Sequence, residues 1–292
     1  MSGARAQSRR ETWLLMAGGA LVTLYVLAPF SWLVLTSFLH EQDVLSVPPN
    51  IGWDSFTIRN YMTFLHSSGI EAIVGSRAAE NTLPGIGNSL VAASATAALN
   101  LILGTLAGYS FARLRFPGRM PLLLLYLGSR MVPGVALIVP LYLTIKTMHL
   151  LDNLAALTIT YLSLTLPFTI WLMKNYFQGV PRSLEEAALV DGCSWWQMLW
   201  KILIPVAAPG LGAAAIFAFM TAWNDYLFAA ILSSSMASKT APVVVAGFVT
   251  DVTTARTLMA AGGVLAVIPP LLLALMCQRL IVQGLTSGAV KG

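Results

Sequence analysis

The segment Glu186-Ala187-Ala188-Leu189-Val190-Asp191-Gly192 is followed, after nine residues, by Ile202-Leu203-Ile204-Pro205, and both lie between two long apolar segments. The first run is polar and rich in small residues, so it belongs outside the hydrocarbon that its neighbours cross. Its position predicts an all-α fold in which membrane helices flank a short helical loop. Such a loop is typical of a docking element for a soluble partner.

The composition indicates a membrane protein. Of the 292 residues, 57% are hydrophobic and 10% are charged, and the mean hydropathy is +0.75. This is more apolar surface than one water-soluble core could bury. Because a span needs about 20 mostly apolar residues, we predict a bundle of six transmembrane helices, at about 13–38, 87–112, 120–145, 154–173, 206–232 and 260–278.

The basic residues predict the orientation, because Lys and Arg near span ends are retained in the cytoplasm. With the amino terminus inside, the cytoplasmic loops hold roughly twice as many of the 17 basic residues as the outer loops. We therefore predict a cytoplasmic segment 1–12, a membrane domain 13–283 that includes a cytoplasmic loop 175–205, and a cytoplasmic tail 284–292. The net charge of +5 is scattered over short loops, so no nucleic-acid partner is predicted.

The cytoplasmic loop carries two helix-start signatures. Ser183-Leu184-Glu185-Glu186 and Ser194-Trp195-Trp196-Gln197 both fit the capping box, in which a hydroxyl and an acidic or amide side chain cap each other's backbone N–H. Gly192 lies between them and can turn the chain left-handed at low cost. The pattern predicts a short helix, a tight turn and a second helix that runs to Pro205.

The first of these helices has a face of small residues. Leu184, Ala187 and Ala188 share one side at spacings of three and four, so a partner could approach the alanines closely. A helix of about two turns is marginal in isolation. Two interpretations remain open: a docking helix, or a surface helix-turn-helix that lies on the membrane.

Small and polar residues within the spans predict how the helices pack. Gly104 and Gly108 fit the small-xxx-small pattern for close helix approach, here within the same chain. Asn100 can form a hydrogen bond to another helix. Kinks are permitted at the prolines of the spans, which are Pro133, Pro140, Pro167, Pro269 and Pro270.

Arg130 lies near the middle of the third predicted span, where an isolated cation costs about 2.5–3.5 kcal/mol on insertion scales. It must face protein or water, either to contact a solute or to hold the bundle together. Asp225, beside Asn224, is a candidate partner, and Tyr226 suits either a sugar site or the aromatic belt. We take these four residues as a candidate substrate path.

The second outer loop, 233–259, contains Ala241-Pro242-Val243-Val244-Val245-Ala246-Gly247. This run of β-branched residues predicts a strand-like or extended segment. Such a loop can reach away from the membrane.

Enzyme motifs are absent from the sequence. The chain has no H-E-x-x-H, no G-x-S-x-G and no G-x-x-x-x-G-K-[ST] loop. We therefore predict a transport subunit that is not an enzyme and takes its energy from another polypeptide. The alternative from another class is a self-sufficient secondary carrier or channel, which needs ionisable residues inside the spans; only Arg130 and Asp225 qualify.

The full spacing of the loop motif resembles the E-A-A loop of bacterial ATP-binding cassette (ABC) importer permeases, with Ile204 where leucine is more usual before the proline. Nearly the whole chain resembles the carbohydrate permeases of the maltose type, in particular the smaller, six-span subunit. The other matching stretches are Asn88-Ser89-Leu90, Ala112-Arg113-Leu114-Arg115-Phe116-Pro117-Gly118, Pro140-Leu141-Tyr142, Leu166-Pro167-Phe168, Trp223-Asn224-Asp225 and 278–292.

This resemblance implies the ABC type I importer fold in the bacterial plasma (inner) membrane, with a di- or oligosaccharide as the solute. The partners would be a second permease in a heterodimer, an ABC ATPase dimer, an extracytoplasmic solute-binding protein and membrane lipid. ATP and Mg²⁺ would bind to the ATPase, and this chain would hold no cofactor, metal or catalytic residue.

The resemblance also assigns roles to individual residues. Segment 183–192 would be the coupling helix, and the loop 233–259 would probe the sugar site of the binding protein. The tail residues Thr286, Ser287 and Gly288 would reach toward the ATPase interface. The ATPase-coupling residues would be Ser183, Glu186, Ala187, Ala188, Asp191, Gly192, Ile202 and Pro205.

Overall fold

The structure is a computed structural model that describes residues 2–65, 76–249 and 255–289, with side chains for 12–65, 78–249 and 255–278. Its α-helices are α1 Ser2–Ser37, α2 Glu41–Leu45, α3 Arg59–Leu65, α4 Ser76–Arg113, α5 Arg119–Ser129, α6 Ile138–Thr147, α7 Leu154–Gly179, α8 Arg182–Val190, α9 Trp195–Met198, α10 Ile204–Val206, α11 Ala208–Trp223, α12 Leu227–Leu232, α13 Ala241–Ala246 and α14 Arg256–Ala289. Two 3₁₀ turns, Trp53–Ser55 and Gly134–Leu137, and a π-helical turn, Leu199–Leu203, lie between them.

The apolar helices of the described ranges match the prediction of an all-α membrane bundle. Four are long and apolar enough to cross a membrane on their own, and two bent pairs bring the number to six if each pair is one span. The continuous helices are Thr12–Ser37, Ala78–Arg113, Leu154–Gly179 and Arg256–Gln278. The bent pairs are Arg119–Ser129 with Gly134–Thr147, at 98°, and Trp195–Val206 with Ala208–Trp223, at 79°.

Two of the predicted spans are not continuous helices, so these predictions are wrong in that respect. The segment 120–145 is not one helix, because α5 ends at Ser129 and helical structure resumes only at Gly134. Pro133 lacks an N–H and disfavours the helical conformation in Val132 before it, so the chain turns there. The predicted fifth span, 206–232, is likewise divided, with breaks at Ala207 and at residues 224–226.

Helices α4 and α7 pack at close range, as the small-residue pattern predicts. A Cβ on Gly108 would lie 2.6 Å from Met173 Cβ and 3.0 Å from the Lys174 nitrogen, and a Cβ on Gly104 would overlap Thr169. Nearby, Asn100 Nδ2 donates to Thr165 Oγ1 at 2.6 Å. The predicted hydrogen bond from Asn100 to another helix is therefore confirmed, and glycine lets the two backbones approach.

The chain divides into two compact units, one formed by 1–80 with 245–265 and the other by 81–244 with 266–292. In the first unit, Asn60 Nδ2 donates to the carbonyl oxygens of Ser37 and Leu39, both at 2.9 Å. The Glu41 carboxylate accepts from the Thr257 N–H at 2.9 Å and from its hydroxyl at 2.8 Å. The stretch that follows α1 is thus tied to the start of α14 by hydrogen bonds.

The run predicted as strand-like is helix α13, so that prediction is wrong. Pro242 lies in the first turn of α13, where its missing N–H costs nothing and its fixed φ favours a helix. The Ala241 N–H donates to Ser89 Oγ at 2.8 Å, and a Cβ on Gly85 would lie 2.9 Å from Val244 Cγ2. This part of the loop is packed on α4 rather than extended.

The side chain of Asp152 forms hydrogen bonds with the first residues of the loop 233–259. Its Oδ1 accepts from the backbone N–H groups of Ser234 and Ser235, at 3.0 and 2.9 Å, and from the Ser238 hydroxyl at 2.8 Å. Its Oδ2 accepts from the Ser235 hydroxyl at 2.5 Å. The hydrogen bond from the Ser235 side chain, followed by those from the Ser235 backbone and Ser238, lowers the pKa of Asp152 from 3.8 to about 2.

We predict that Gly108→Ala lowers the stability of the purified protein, because the new methyl group overlaps Met173 and the α7 backbone. Overpacking of this kind costs about 1–3 kcal/mol. The matched control is Gly87→Ala on the same helix, where a Cβ meets no atom within 4 Å. Thermal unfolding in detergent measures both variants, and equal transition temperatures would contradict the close α4–α7 packing.

We predict that Asp152→Asn opens the loop, because the ionised carboxylate is the common acceptor of its first residues. Hydrogen exchange at the Ser234 and Ser235 amides should speed up about tenfold at pH 7, whereas Asp54→Asn, at an exposed aspartate, should leave it unchanged. Since the folded pKa lies below the ordinary 3.8, the carboxylate stabilises the loop fully above about pH 4 and loses this effect as the pH falls toward 2. Wild-type protection that already declines between pH 7 and pH 5 would contradict this assignment.

Candidate functional site

Residues 180–206, here called the hairpin, connect α7 to α11 and contain the Glu186–Gly192 motif with the Ile202–Pro205 run that follows it. The hairpin consists of α8, a turn at Gly192, α9, the π-helical turn and α10. The prediction of a short helix, a tight turn and a second helix is therefore confirmed in outline.

The start of α8 differs from the predicted capping box at Ser183. The helix begins at Arg182, its N-cap is Pro181, and Ser183 lies inside the first turn without a side-chain capping bond. The preceding chain is fixed at Val180, whose carbonyl oxygen accepts from Arg113 Nη2 at 2.7 Å. With Val180 held and the φ of Pro181 restricted, the helix starts one residue after the proline.

The turn is as predicted. Gly192 has a φ of +77°, in the left-handed region that glycine enters without strain. Its N–H donates to the Leu189 carbonyl at 3.1 Å, and the Cys193 N–H donates to the Ala188 carbonyl at 2.9 Å. These bonds close the carboxyl end of α8.

The second capping box is confirmed, because Ser194 Oγ accepts from the Gln197 N–H at 3.3 Å and Gln197 Oε1 accepts from the Ser194 N–H at 2.8 Å. The helix that follows is not regular, however. It widens to a π-helical turn at Leu199–Leu203 and continues past Pro205 to Val206. Pro205 lies in the first turn of α10, where its missing N–H is tolerated.

Helix α8 buries one narrow face and exposes the rest. Ala188 is 2% exposed and packs among Tyr109, Met173 and Phe177. The close approach predicted for a partner at Ala188 is thus made by the chain itself, whereas Ala187 stays exposed. The exposed apolar side chains of α8 are Leu184 at 40%, Leu189 at 57% and Val190 at 87%.

A nearly buried ion pair fixes α8 to the end of α4. Arg113 Nε lies 2.5 Å from Glu185 Oε1, and their side chains are 9% and 14% exposed. Tyr109 OH, one turn earlier on α4, lies 3.4 Å from Glu185 Oε2. Because Arg113 also holds the Val180 carbonyl, one guanidinium fixes both the entry to α8 and its first turn.

Aromatic rings extend this attachment to both halves of the hairpin. The Tyr109 ring packs edge-on against Phe177 of α7, at 5.7 Å between centroids, and against Trp195 of α9, at 5.5 Å. The sequence predicted no role at the hairpin for Tyr109 or Glu185, and Arg113 stood only within a stretch that resembles the family. Glu185 and Arg113 are 72 residues apart, so their pairing leaves no local pattern in the sequence.

The residues expected to couple to an ATPase fall into two groups. Ala188 is buried and Ile202 is half-buried, and both contribute to the core between the hairpin and the bundle. The others are exposed, namely Ser183, Glu186, Ala187, Asp191, Gly192 and Pro205. Glu186 has no hydrogen bond or ion pair to another described residue, which leaves its carboxylate available.

The predicted tail, 284–292, continues α14 as far as Ala289. The backbone of Thr286, Ser287 and Gly288 is helical, and residues 290–292 lie outside the described residues.

The predicted pairing of Arg130 with Asp225 is wrong. Arg130 Nη1 donates to the Leu164 carbonyl of α7 at 2.5 Å, and its guanidinium lies 5.4 Å from the centroid of the Phe217 ring. Asp225 Oδ2 instead accepts from the Tyr161 hydroxyl at 3.0 Å and from two backbone N–H groups of α12.

Asp225 caps the first turn of α12, accepting from the N–H groups of Phe228 and Ala229 at 3.1 Å. Its neighbours Asn224 and Tyr226 are exposed, Tyr226 by 50%. Of the four residues proposed for a substrate path, Asp225 is thus occupied by structural bonds, while Arg130, Asn224 and Tyr226 keep exposed surface.

Comparison with known proteins identifies the family. Residues 100–287, which include the hairpin and the ends of α4 and α14, match the family described as "Binding-protein-dependent transport system inner membrane component". The chain belongs to this family. The six-span prediction and the motif of the hairpin agree with that membership, and the chain is a multi-pass membrane permease.

Curated relatives of this permease align over nearly their full length. It is 35% identical to the trehalose transport system permease protein SugB of Mycobacterium tuberculosis, over 98% of this chain and 99% of the relative. It is 32% identical to the trehalose/maltose transport system permease protein MalG of Thermococcus litoralis, over 96% of each chain.

A solved structure shares the fold. A chain of a bacterial ABC transporter involved in the import of the acidic polysaccharide alginate superposes with a TM-score of 0.67, over 93% of this permease and 96% of that chain, at 22% identity. The ABC importer permease fold expected from the sequence is therefore confirmed.

We predict that Glu185→Gln destabilises the permease, because Arg113 then loses its charged partner in a nearly buried site. The loss should be about 1.5–3 kcal/mol, seen as a lower thermal transition in detergent. The adjacent Glu186→Gln is the matched control, since Glu186 is exposed, and it should leave the transition unchanged. If both variants unfold at the wild-type temperature, the ion pair does not hold the hairpin.

Proposed function

We propose that this permease is a subunit of an ATP-driven ABC importer that carries a sugar across the bacterial inner membrane, and that it forms the translocation path with a second permease. Family membership carries the proposal, because it covers the hairpin and most of the spans. Relatives aligned over almost the whole chain are named as transport system permeases for trehalose and for trehalose or maltose. A di- or oligosaccharide is therefore the solute that we propose.

We further propose that the exposed face of α8 docks on an ABC ATPase dimer, which binds the ATP and Mg²⁺. The face combines the free Glu186 carboxylate with the apolar Leu189 and Val190 side chains, 57% and 87% exposed. A mixed surface of this kind suits a protein partner that supplies a cation and an apolar cleft. The hairpin and both termini would then be cytoplasmic, with a solute-binding protein on the opposite side.

The rigid attachment of α8 gives this docking a mechanical consequence. A force applied to α8 passes to α4 through the Arg113–Glu185 pair and to α7 through the packing of Ala188 on Met173 and Phe177. Since α4 and α7 are closely packed transmembrane helices, closure of the ATPase would move spanning elements rather than a loose loop.

For the solute, the exposed members of the proposed path are the better contacts. Asn224 offers an amide, Tyr226 an aromatic face, and Arg130 keeps N–H donors beyond the one that binds Leu164. These groups suit sugar hydroxyls and ring faces. Asp225 would position Asn224 and Tyr226 by holding α12 in place. A self-sufficient carrier is not supported, because the family and the aligned relatives are subunits of transport systems.

The experiment purifies the tagged permease from its native membrane and tests sugar uptake in vesicles. An ATPase and a second permease should co-purify, and uptake should require ATP. Gly192→Pro should abolish ATP-driven uptake, because proline cannot adopt a φ of +77° and lacks the N–H that binds Leu189, a local cost of about 3 kcal/mol or more.

The matched control is Gly192→Asn, because asparagine tolerates the left-handed region and a Cβ there meets no atom within 4 Å. It should keep most of the uptake, and both variants should insert in the membrane normally. Uptake that proceeds without an ATPase, or wild-type uptake by Gly192→Pro, would contradict the proposal.

A further inference from the structure

The second half of the hairpin carries an exposed face that docking through α8 does not use. Trp196 and Trp200, one turn apart, are 56% and 58% exposed, and Lys201 is exposed beside them. On the opposite face, Met198, Leu199 and Leu203 are at most 2% exposed in the core of the hairpin. Segment 195–206 is therefore amphipathic, with tryptophan and lysine on its free side.

The bend at Ala207 sets the direction of this segment. Trp195–Val206 makes an angle of 79° with Ala208–Trp223. Because α11 belongs to a membrane span, a segment nearly perpendicular to it lies close to the plane of the membrane. Segment 195–206 joins α11 directly, so it lies at the depth where the chain enters the hydrocarbon.

The exposed rings are fixed in place rather than free to fold back. Trp196 packs edge-on against Trp195, with 4.6 Å between ring centroids, and Trp195 packs against Tyr109 at 5.5 Å. Trp200 is held by the π-helical turn, whose neighbouring Leu199 is fully buried. Large exposed apolar rings on a rigid element indicate a surface that is covered in the native setting.

The charge along this segment of the chain is positive. The sequence has no acidic residue between Asp191 and Asp225, a stretch that contains Lys201. The neighbouring connection from α4 to α5 adds Arg115 and Arg119 at the same end of these helices. Tryptophan rings with lysine favour the headgroup region of a bilayer, where anionic phosphates attract basic side chains.

We propose that segment 195–206 is an interfacial anchor, in which Trp196 and Trp200 insert among lipid headgroups and Lys201 binds the phosphate of an anionic lipid. The anchor fixes the depth of the hairpin in the membrane. It goes beyond the proposed function and depends neither on the solute nor on docking through α8.

The test uses the full-length permease in vesicles of phosphatidylethanolamine and phosphatidylglycerol, with and without the subunits that co-purify with it. Tryptophan fluorescence is measured with lipids brominated either beside the headgroup or near the end of the acyl chain. The fluorescence from Trp196 or Trp200 is the intensity of the wild type minus that of Trp196→Phe or Trp200→Phe. Trp223→Phe gives, in the same way, the fluorescence of a buried ring that is 3% exposed.

The contributions of Trp196 and Trp200 should lose most of their intensity with bromine beside the headgroup and less with bromine at the chain end, with or without the other subunits. The Trp223 contribution should hardly change. Wild-type Trp200 should be quenched more strongly in these vesicles than in vesicles in which phosphatidylcholine replaces the phosphatidylglycerol. Lys201→Gln should remove that difference. Quenching of Trp196 and Trp200 by aqueous iodide but not by brominated lipid would place this face in water. Shielding from both quenchers only when the other subunits are present would assign the face to a protein partner. Either result would overturn the anchor, whereas the result of the sugar-uptake assay would be unaffected.

Discussion

Hydrocarbon offers no hydrogen bonds to a peptide group, so a break in a spanning helix persists only where other protein groups support it. Two of the breaks in the apolar helices, at 130–133 and at 224–226, are supported by α7. Arg130 donates to the Leu164 carbonyl of α7, and Asp225, which caps α12, accepts from Tyr161 of α7. Helix α4 packs on the same helix through Gly108. Helix α7 is thus the element that supports these two breaks and also packs closely against α4.

The hairpin continues from the end of α7, and two adjacent glutamates in α8 have different roles. Glu185 points inward and pairs with Arg113 at low exposure, where a charge is stable only with its partner. Glu186 is exposed and has no partner among the described residues, so it can bind another protein at little desolvation cost within this chain. Glu185 attaches the helix to α4, and Glu186 lies on its exposed surface. This division explains how a helix of nine residues, too short to be stable alone, can be held rigidly while one face stays exposed.

The two halves of the hairpin expose surfaces of different chemistry. Helix α8 shows a mixed acidic and apolar face, which suits a protein, whereas segment 195–206 shows tryptophan and lysine, which suit a headgroup layer. Both halves are attached to Tyr109 of α4, through Glu185 in one case and Trp195 in the other. A partner bound to α8 and a membrane bound to segment 195–206 would therefore act on one rigid body joined to the spans.

Composition, motif spacing and local chemistry determined much of this protein from the sequence alone. They gave the membrane setting, the α-helical class, the family, the Gly192 turn, the Ser194 capping box and the close packing at Gly108, because hydrophobicity, backbone preference and side-chain size act over a few residues. Only the tertiary structure decided the helix start beside Ser183, the α13 helix, the bend at 130–133, the partner of Arg130 and the Arg113–Glu185 pair. Prolines contribute locally to the first three, but each also has a hydrogen bond to a distant part of the chain: Arg113 to the Val180 carbonyl before α8, the Ala241 N–H to Ser89, and Arg130 to the Leu164 carbonyl. Such contacts do not exist until the helices have packed.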